Sequence, residues 1–277
     1  MKNYLNKELN YLNRDITNVC DELGLWASPF GVMLLDNFPI KNYQNYLDIG
    51  CGTGFPLIEI TNRIGSECKA VGIDPWGEAV KRAQGKIDVL QLDNISVIEG
   101  NAENINFPDD YFDLITSNLG INNFENPSKV INESYRTLKH GGIFCATTNL
   151  TGTFNEFYNL FRETLFELKL EKYLLGLDNH INHRGTEKSS VELFENSRFK
   201  IIRTIKSEYQ MRYYNGSAFL NQPFIIIGFI DAWRNMFEDT HKQAFFDVFE
   251  RRLNEYANQH GELRLTIPML YIEARKE

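Results

Sequence analysis

Between Tyr46 and Ile64 the chain passes from a short apolar run through three glycines into an amphipathic segment: Tyr46-Leu47-Asp48-Ile49, then Gly50-Cys51-Gly52-Thr53-Gly54-Phe55, then Pro56 onward. This reads as a strand, a tight turn with bare main chain, and a helix whose first N–H groups have no partner of their own. The alternation continues downstream. Strands are predicted over 46–49, 70–73, 96–98, 112–116 and 143–147, and helices over 56–64, 78–92 and 128–138. Strands separated by helices of this length imply right-handed βαβ crossovers and a parallel sheet, a doubly wound α/β domain. Leu138-Lys139-His140-Gly141-Gly142 reads as the close of a helix, glycine supplying left-handed backbone directly before a strand.

On either side the pattern differs. Apolar residues at Leu5, Leu9, Leu12, Ile16, Val19 and Leu23 predict one N-terminal helix with a single core-facing stripe. A short second helix follows Pro29, using Phe30, Val32, Met33 and Leu34. Beyond Asn149, residues 150–186 read as helix plus an irregular polar stretch, Val191–Phe194 as a short helix and Ile201–Tyr209 as a strand. Residues 216–260 read as helical, with Trp233 and Phe237 on one stripe and Phe245, Val248 and Tyr256 on another. Leu263, Leu265, Ile267 and Met269 alternate as a last strand, in which Pro268 predicts a bulge or an edge position.

Composition narrows the function classes. A net charge of −8 over 277 residues, with no run of Lys and Arg, argues against an unspecific grip on nucleic acid. Cys20, Cys51, Cys68 and Cys145 are scattered without a CxxC pair, so neither a metal site nor a disulfide framework is expected. The first residues, Met1-Lys2-Asn3-Tyr4-Leu5, lack an apolar signal segment, and the most apolar run, Phe224 to Ile230, is too short to span a bilayer. A cytoplasmic protein with no membrane partner is expected.

The chemistry concentrates at the glycine turn. Its spacing is GxGxG, with Phe55 where the dinucleotide fingerprint GxGxxG wants a small residue. Asp48, two positions before the first glycine, would repel a pyrophosphate but can pair with an amino group. This combination resembles motif I of the class I S-adenosylmethionine-dependent methyltransferases. Further features fall where that family places them: Asp74 at the end of the second strand, Asn101-Ala102-Glu103 after the third, and Asn118-Leu119-Gly120-Ile121-Asn122-Asn123 after the fourth. The resemblance covers residues 46–149 well and Ile201 to Glu277 in outline.

It implies a Rossmann-like seven-stranded sheet in the order 3-2-1-4-5-7-6, its last strand antiparallel, and S-adenosyl-L-methionine as cofactor. By the same likeness the cofactor-binding residues are Asp48, Gly50, Cys51, Gly52, Gly54, Asp74, Pro75, Trp76, Asn101, Ala102, Glu103, Asn118 and Leu119. Asp74 would accept hydrogen bonds from both ribose hydroxyls, and the 101–103 turn would meet the adenine edge. Position 101 departs from the pattern, carrying Asn where Asp is frequent; its amide oxygen still accepts. Residues 1–40 are expected to form a helical cap and 41–277 the methyltransferase domain, with cap insertions at 150–186 and 211–260.

The acceptor is less legible. Methyl transfer from a sulfonium rests on alignment, and a general base is needed only when the acceptor arrives protonated. Candidates are His183, Asn122 and Tyr213, with His180, Tyr209 and Tyr214 beside them; each also reads as solvated loop, helix cap or aromatic packing. Capping of the next helix by Asn118, Asn122 or Asn123 is an equal reading. The Asn- or Asp-Pro-Pro-aromatic string typical of base-amino methyltransferases is replaced by Asn118-Leu119-Gly120-Ile121. With the acidic charge, this points to a small-molecule or peptide acceptor. The aromatics Trp26, Phe30, Phe154, Phe157, Tyr158, Tyr213, Tyr214, Phe219 and Trp233 are expected to build the acceptor-selecting cap, with Asn118, Asn122, His183 and Asn221 as its polar groups. The alternatives are a non-catalytic cofactor-binding partner module and a nicotinamide-dependent oxidoreductase. Oligomeric state is not set by the sequence.

Overall fold

The structure, a computed structural model, describes residues 3–7, 9–10, 12–22 and 24–277. Leu23, the last residue of the predicted N-terminal stripe, and Met1 and Lys2 lie outside the described residues. In chain order the elements are α1 (Arg14–Glu22), α2 (Ala27–Asn37), β1 (Asn45–Ile49), α3 (Leu57–Ile64), β2 (Lys69–Asp74), α4 (Gly77–Leu90), β3 (Ile95–Glu99), β4 (Phe112–Asn118), α5 (Pro127–Thr137) and β5 (Leu138–Asn149). Then follow α6 (Asn155–Glu167), α7 (Leu174–Asn182), α8 (Glu187–Asn196), β6 (Lys200–Tyr213), α9 (Gly216–Leu220), α10 (Pro223–Gly228), α11 (Ile230–Arg234), α12 (Asp239–His260) and β7 (Leu263–Arg275).

The chain divides into two compact units. A sheet unit takes the described residues of 11–149 together with 185–207 and 269–277; a helical unit takes the described residues of 1–10 together with 150–184 and 208–268. The seven-stranded sheet runs β3-β2-β1-β4-β5-β7-β6, as the resemblance implies. β1 to β5 pair in parallel, and β7 lies antiparallel to β5 from Asn149↔Met269 to Ile143↔Arg275. Central strands of such a sheet are covered on both faces and read as continuous apolar runs. Tyr46, Leu47 and Ile49 of β1, Leu114 and Ile115 of β4, and Phe144 to Ala146 of β5 are all buried. At the edge, Ile98 of β3 is exposed. Helix α4 buries Ala79, Val80, Ala83 and Ile87, one stripe at helical spacing. Helix α5 begins at Pro127 beneath the side chain of Asn126, which accepts from Lys129 N at 3.0 Å.

Four sequence expectations are corrected. The N-terminal stripe is not one helix: Asn3–Leu5 form a 3-10 turn and α1 starts only at Arg14. Asn13 accounts for the break, its side-chain oxygen accepting from Asp15 N at 2.8 Å and its carbonyl from Ile16 N at 3.1 Å, while Leu12 is left exposed. The glycines at 141 and 142 do not close α5. Strand β5 already begins at Leu138, paired with Phe112, and Gly141 (φ +79°) lies within it, donating its N–H to Lys276 O at 2.8 Å. Of the two positions allowed for Pro268, bulge or edge, the edge is ruled out, since β7 lies between β5 and β6. Pro268 stands one residue before the first β5 ladder pair, and its carbonyl accepts from Leu150 N at 3.0 Å. In α12 the buried face is Phe245, Phe246, Phe249, Leu253 and Ala257, so Val248 and Tyr256 are off it; Phe237 falls between α11 and α12.

The helical unit has an aromatic core. Phe157 of α6 sits 4.4 Å from Trp233 of α11 and 4.8 Å from Phe249 of α12, ring centre to ring centre. Its N-terminal segment is tied in by Tyr4, whose hydroxyl donates to Glu250 at 2.9 Å, and by Arg234, which donates to Leu5 O at 2.8 Å.

Candidate cofactor site

The glycine turn joins β1 to α3 at the carboxyl end of β1, an inner strand flanked by β2 and β4. The N–H groups of Gly50 and Cys51 both reach Ile73 O of β2, at 2.8 and 3.2 Å, and the Gly54 N–H closes the turn on Cys51 O at 2.9 Å. Gly52 and Gly54 hold φ of +51° and +101°, the left-handed region that a side chain disfavours. A Cβ on Gly52 would meet nothing within 4 Å, so its requirement is backbone conformation and open approach, not packing. Phe55, which breaks the dinucleotide spacing, lays its ring on Gly31 of α2, where a Cβ would come within 2.1 Å of it. The Phe55–Pro56 peptide is cis.

Asp74 closes the turn from β2. One carboxylate oxygen accepts from Gly52 N at 2.8 Å and the other from Trp76 N at 2.8 Å. Burial pushes its pKa up against these two bonds. Each oxygen keeps a second lone pair for a further donor. Trp76 is the N-cap of α4, its carbonyl accepting from Ala79 N at 2.9 Å.

Asp48 is the unusual group. It is 1% exposed and lies opposite Thr116 in the β1–β4 ladder. The Thr116 hydroxyl donates to Asp48 Oδ1 at 2.6 Å, so the Tyr46 hydroxyl, 2.7 Å from Thr116 Oγ1, must donate to Thr116. This relay spends one carboxylate oxygen. The other, Oδ2, is buried with no hydrogen-bond partner among the described residues. Burial first, opposed by Thr116 and reinforced by the charge of Asp74, pushes the Asp48 pKa up to about 7. A buried carboxylate oxygen without a donor is costly, and a cationic group beside it removes that cost.

Asn101, Ala102 and Glu103 follow β3 as a turn in which Asn101 Oδ1 accepts from Glu103 N at 2.8 Å. They join Gly50 and Pro75 around a cleft of about 200 Å³ whose apolar walls include Ile73 and Phe124. Ile73, Phe124 and Glu125 were not read from the sequence; only the strand register and the loop after β4 bring them there. A wider cleft of about 700 Å³, lined by Arg14, Lys81, Val89 and Leu90 among others, contains none of the predicted residues. Glu103 itself is engaged, accepting from Asn126 N at 3.1 Å and pairing with Lys129 at 3.4 Å.

Asn118 and Leu119 close β4. Asn118 accepts from Thr147 Oγ1 at 2.7 Å and donates to Ala27 O at 3.2 Å, and Leu119 holds a left-handed φ of +63°. Left-handed backbone in a leucine is strain that surrounding structure must hold. Asn122 donates to both the carbonyl and the side-chain oxygen of Asn149 at 2.8 Å, and Asn123 to Leu119 O at 2.9 Å. The next helix is capped by Asn126, so the capping alternative for the three earlier asparagines does not hold. His183 and Tyr213 belong to the helical unit. Tyr213 packs 5.2 Å from Phe219, and burial pushes its pKa up to about 12. His180 Nε2 is 2.9 Å from the Tyr158 hydroxyl, and burial, then Arg184, lowers its pKa to about 4.

Three further residues escaped the sequence. Thr116 and Tyr46 are ordinary strand residues until the ladder sets them beside Asp48. Asp21, in α1, accepts from Thr53 Oγ1 within the glycine turn at 2.8 Å.

With this geometry in view, residues 40–201 match a family model described as a methyltransferase domain. The demethylmenaquinone methyltransferase of Listeria welshimeri is 30% identical over 176 residues, 60% of this chain and 74% of that protein. Among solved structures, the YcgJ protein of Bacillus subtilis matches 90% of this chain and 98% of its own, with a TM-score of 0.56 at 17% identity. Haemonchus contortus phosphoethanolamine N-methyltransferase 2, in complex with S-adenosyl-L-methionine, matches 91% of this chain and 52% of its own, with a TM-score of 0.53 at 17% identity. At those identities the two structures speak for the fold alone. The sequence matches set the nicotinamide reading aside: the chain belongs to the methyltransferase domain family, as a class I enzyme dependent on S-adenosylmethionine.

Proposed function

We propose that this methyltransferase acts on a small organic acceptor, with S-adenosylmethionine held across the carboxyl ends of β1, β2, β3 and β4. The unpartnered Oδ2 of buried Asp48 carries the reading of the site, because it fits the methionine ammonium group directly. Asp74 has lone pairs left for the ribose hydroxyls. Pro75, Ala102 and the Asn101 turn border the cleft suited to adenine, with Glu103 holding that turn in place. Gly50, Cys51, Gly52 and Gly54 offer bare main chain, and Trp76, Asn118 and Leu119 complete the rim. When bound, S-adenosylmethionine supplies a methyl group already activated by a positive sulfonium. The protein's own part is to orient that group and keep water from it. No proton acceptor is required unless the acceptor atom arrives protonated; within the sheet unit, Asn122 is the polar group proposed to meet it.

A small acceptor is supported by the charge of −8, which disfavours nucleic acid, and by the small substrates in the relatives' names. Acceptor choice is assigned to 150–186 and 211–260. The second of these lies outside the family-matched residues, where substrate preference is free to diverge. Four free cysteines, three of them buried, fit a cytoplasmic setting. The test is incubation with methyl-labelled S-adenosylmethionine and a cell extract split by ultrafiltration. Label in the filtrate is the expected result. Label confined to the retained fraction would replace the small acceptor with a macromolecular one, and cofactor binding without any labelled product would make the chain a binding module.

A further inference from the structure

The middle of the glycine turn is held from outside the sheet. Thr53 lies between Gly52 and Gly54, two positions with left-handed backbone, and a side chain at Gly52 would find only open space. Packing therefore does little to fix the turn at Gly52, whereas at Gly54 a Cβ would fall 3.0 Å from Ile58. The hydroxyl and the carbonyl of Thr53 are nevertheless both engaged. Its hydroxyl donates to Asp21 Oδ1 at 2.8 Å, and its carbonyl accepts from Lys86 Nζ at 2.8 Å. Asp21 and Lys86 are bonded to each other, and Arg82 Nε donates to the remaining Asp21 oxygen at 2.8 Å. The Asp21 side chain is only 10% exposed, between two cations of α4 and one hydroxyl of the turn. Burial alone would raise its pKa; Lys86, Arg82 and Thr53 overcome this and hold it below the ordinary carboxylate range.

We infer that Asp21 is a positioning residue for S-adenosylmethionine, acting through Thr53 to hold the glycine turn in its binding conformation; this rests on the reading of that turn as the cofactor site. Asp74 fixes the inner side of the turn through Gly52 N, and Asp21 with Lys86 fixes the outer side. Helix α1 is thereby part of the cofactor site's support, although it lies outside the family-matched residues. Without the carboxylate, Arg82 and Lys86 lose their shared counter-charge, Thr53 loses its acceptor, and the ligand must order the turn at the expense of affinity.

The test is calorimetric titration of S-adenosylmethionine into the full chain and into Asp21→Ala, Thr53→Val, Thr53→Ser, the Asp21→Ala/Thr53→Val double variant and Asp48→Asn, with urea unfolding of each. Loss of a charge-assisted hydrogen bond predicts about 10- to 100-fold weaker binding for Asp21→Ala. Thr53→Val should weaken binding as well, the double variant should be no worse than the poorer single one, and Thr53→Ser should bind like wild type. Wild-type affinity in Thr53→Val, or strictly additive losses in the double variant, would overturn the inference even if Asp21→Ala fails to fold. If those variants bind normally while Asp48→Asn does not, the cofactor site stands and Asp21 is only a tie for α1. If the wild-type chain binds no S-adenosylmethionine, the site reading falls first and the inference with it.

Discussion

Asp48 pays for its position with an unfilled hydrogen-bonding oxygen, and that sets how it should titrate. Its pKa is raised to about 7 in the folded chain, by burial first and then by the charge of Asp74, with Thr116 pulling the other way. The unfolded value lies near the ordinary ~3.9. Between the two, the folded state binds more protons than the unfolded state, so this group's contribution makes the ligand-free fold less stable as pH rises from about 4 through 7. The ionised form is the one that pairs with an ammonium. Affinity for S-adenosylmethionine should therefore climb about tenfold per pH unit toward 7 and level off above it, while Asp48→Asn should bind weakly with a flat profile. Calorimetry across that range checks both. Thr116→Val keeps the shape of the side chain but strands the buried Tyr46 hydroxyl and frees Asp48 Oδ1. It should cost about 1–3 kcal/mol in urea unfolding and push the Asp48 midpoint higher still.

Among the elements, β2 shows how tightly the sheet supports the turn. Gly72 faces Leu57 of α3 and Cys51 of the turn, where a Cβ would fall 2.6 Å from one and 2.7 Å from the other's sulfur. Both neighbours are buried. Gly72→Ala should destabilise the chain by about 1–3 kcal/mol and weaken S-adenosylmethionine binding together, since relief must come from moving α3 or the turn. Equal cofactor affinity in that variant would show that the turn absorbs the displacement. At α5 the expectation is narrower. Asn126→Ala removes the cap and the acceptor for Lys129 N, costing about 1 kcal/mol of stability. Cofactor affinity should change little, because Glu103 bonds the main-chain N–H of Asn126 and that group survives the substitution. The element-scale lesson lies in α12, whose buried face follows Phe245, Phe246, Phe249 and Leu253. Aromatic spacing in the sequence allowed a second stripe through Val248 and Tyr256, and only the packing partners in α6 and α9 choose between them.

For the whole molecule, the sheet unit and the helical unit each have a core of their own, one built on buried parallel strands and the other on aromatic rings packed tilted and edge to face. The proposed cofactor contacts all fall in the sheet unit. Saturation with S-adenosylmethionine at about 100 times its Kd should add about 2.7 kcal/mol to the unfolding free energy, read as a shift in the thermal transition. Hydrogen exchange should slow most in β1, the glycine turn and the start of α3. NAD at the same concentration should produce neither effect. Protection confined to 150–184 or 208–268 would move the cofactor out of the sheet unit.

The sequence by itself determined the order and type of the elements from Tyr46 to Asn149, the place of the glycine turn, and most of the residues around it. These are local properties: a period of apolar residues, a backbone angle only glycine takes readily, a cap next to the helix it starts. The break at Asn13 was also local, and the even apolar spacing through Leu9 and Leu12 hid it. The outer strand order came from family resemblance, not from spacing within the chain. What only the tertiary structure decided were the facts that depend on distant partners. Thr116 reaches Asp48 across 68 positions and Asp21 reaches Thr53 across 32, and no pattern near either residue announces the pairing. Whether a carboxylate is buried, and which of its oxygens is left without a donor, depends on what neighbouring strands and helices place around it, because desolvation and hydrogen-bond satisfaction are properties of the assembled neighbourhood.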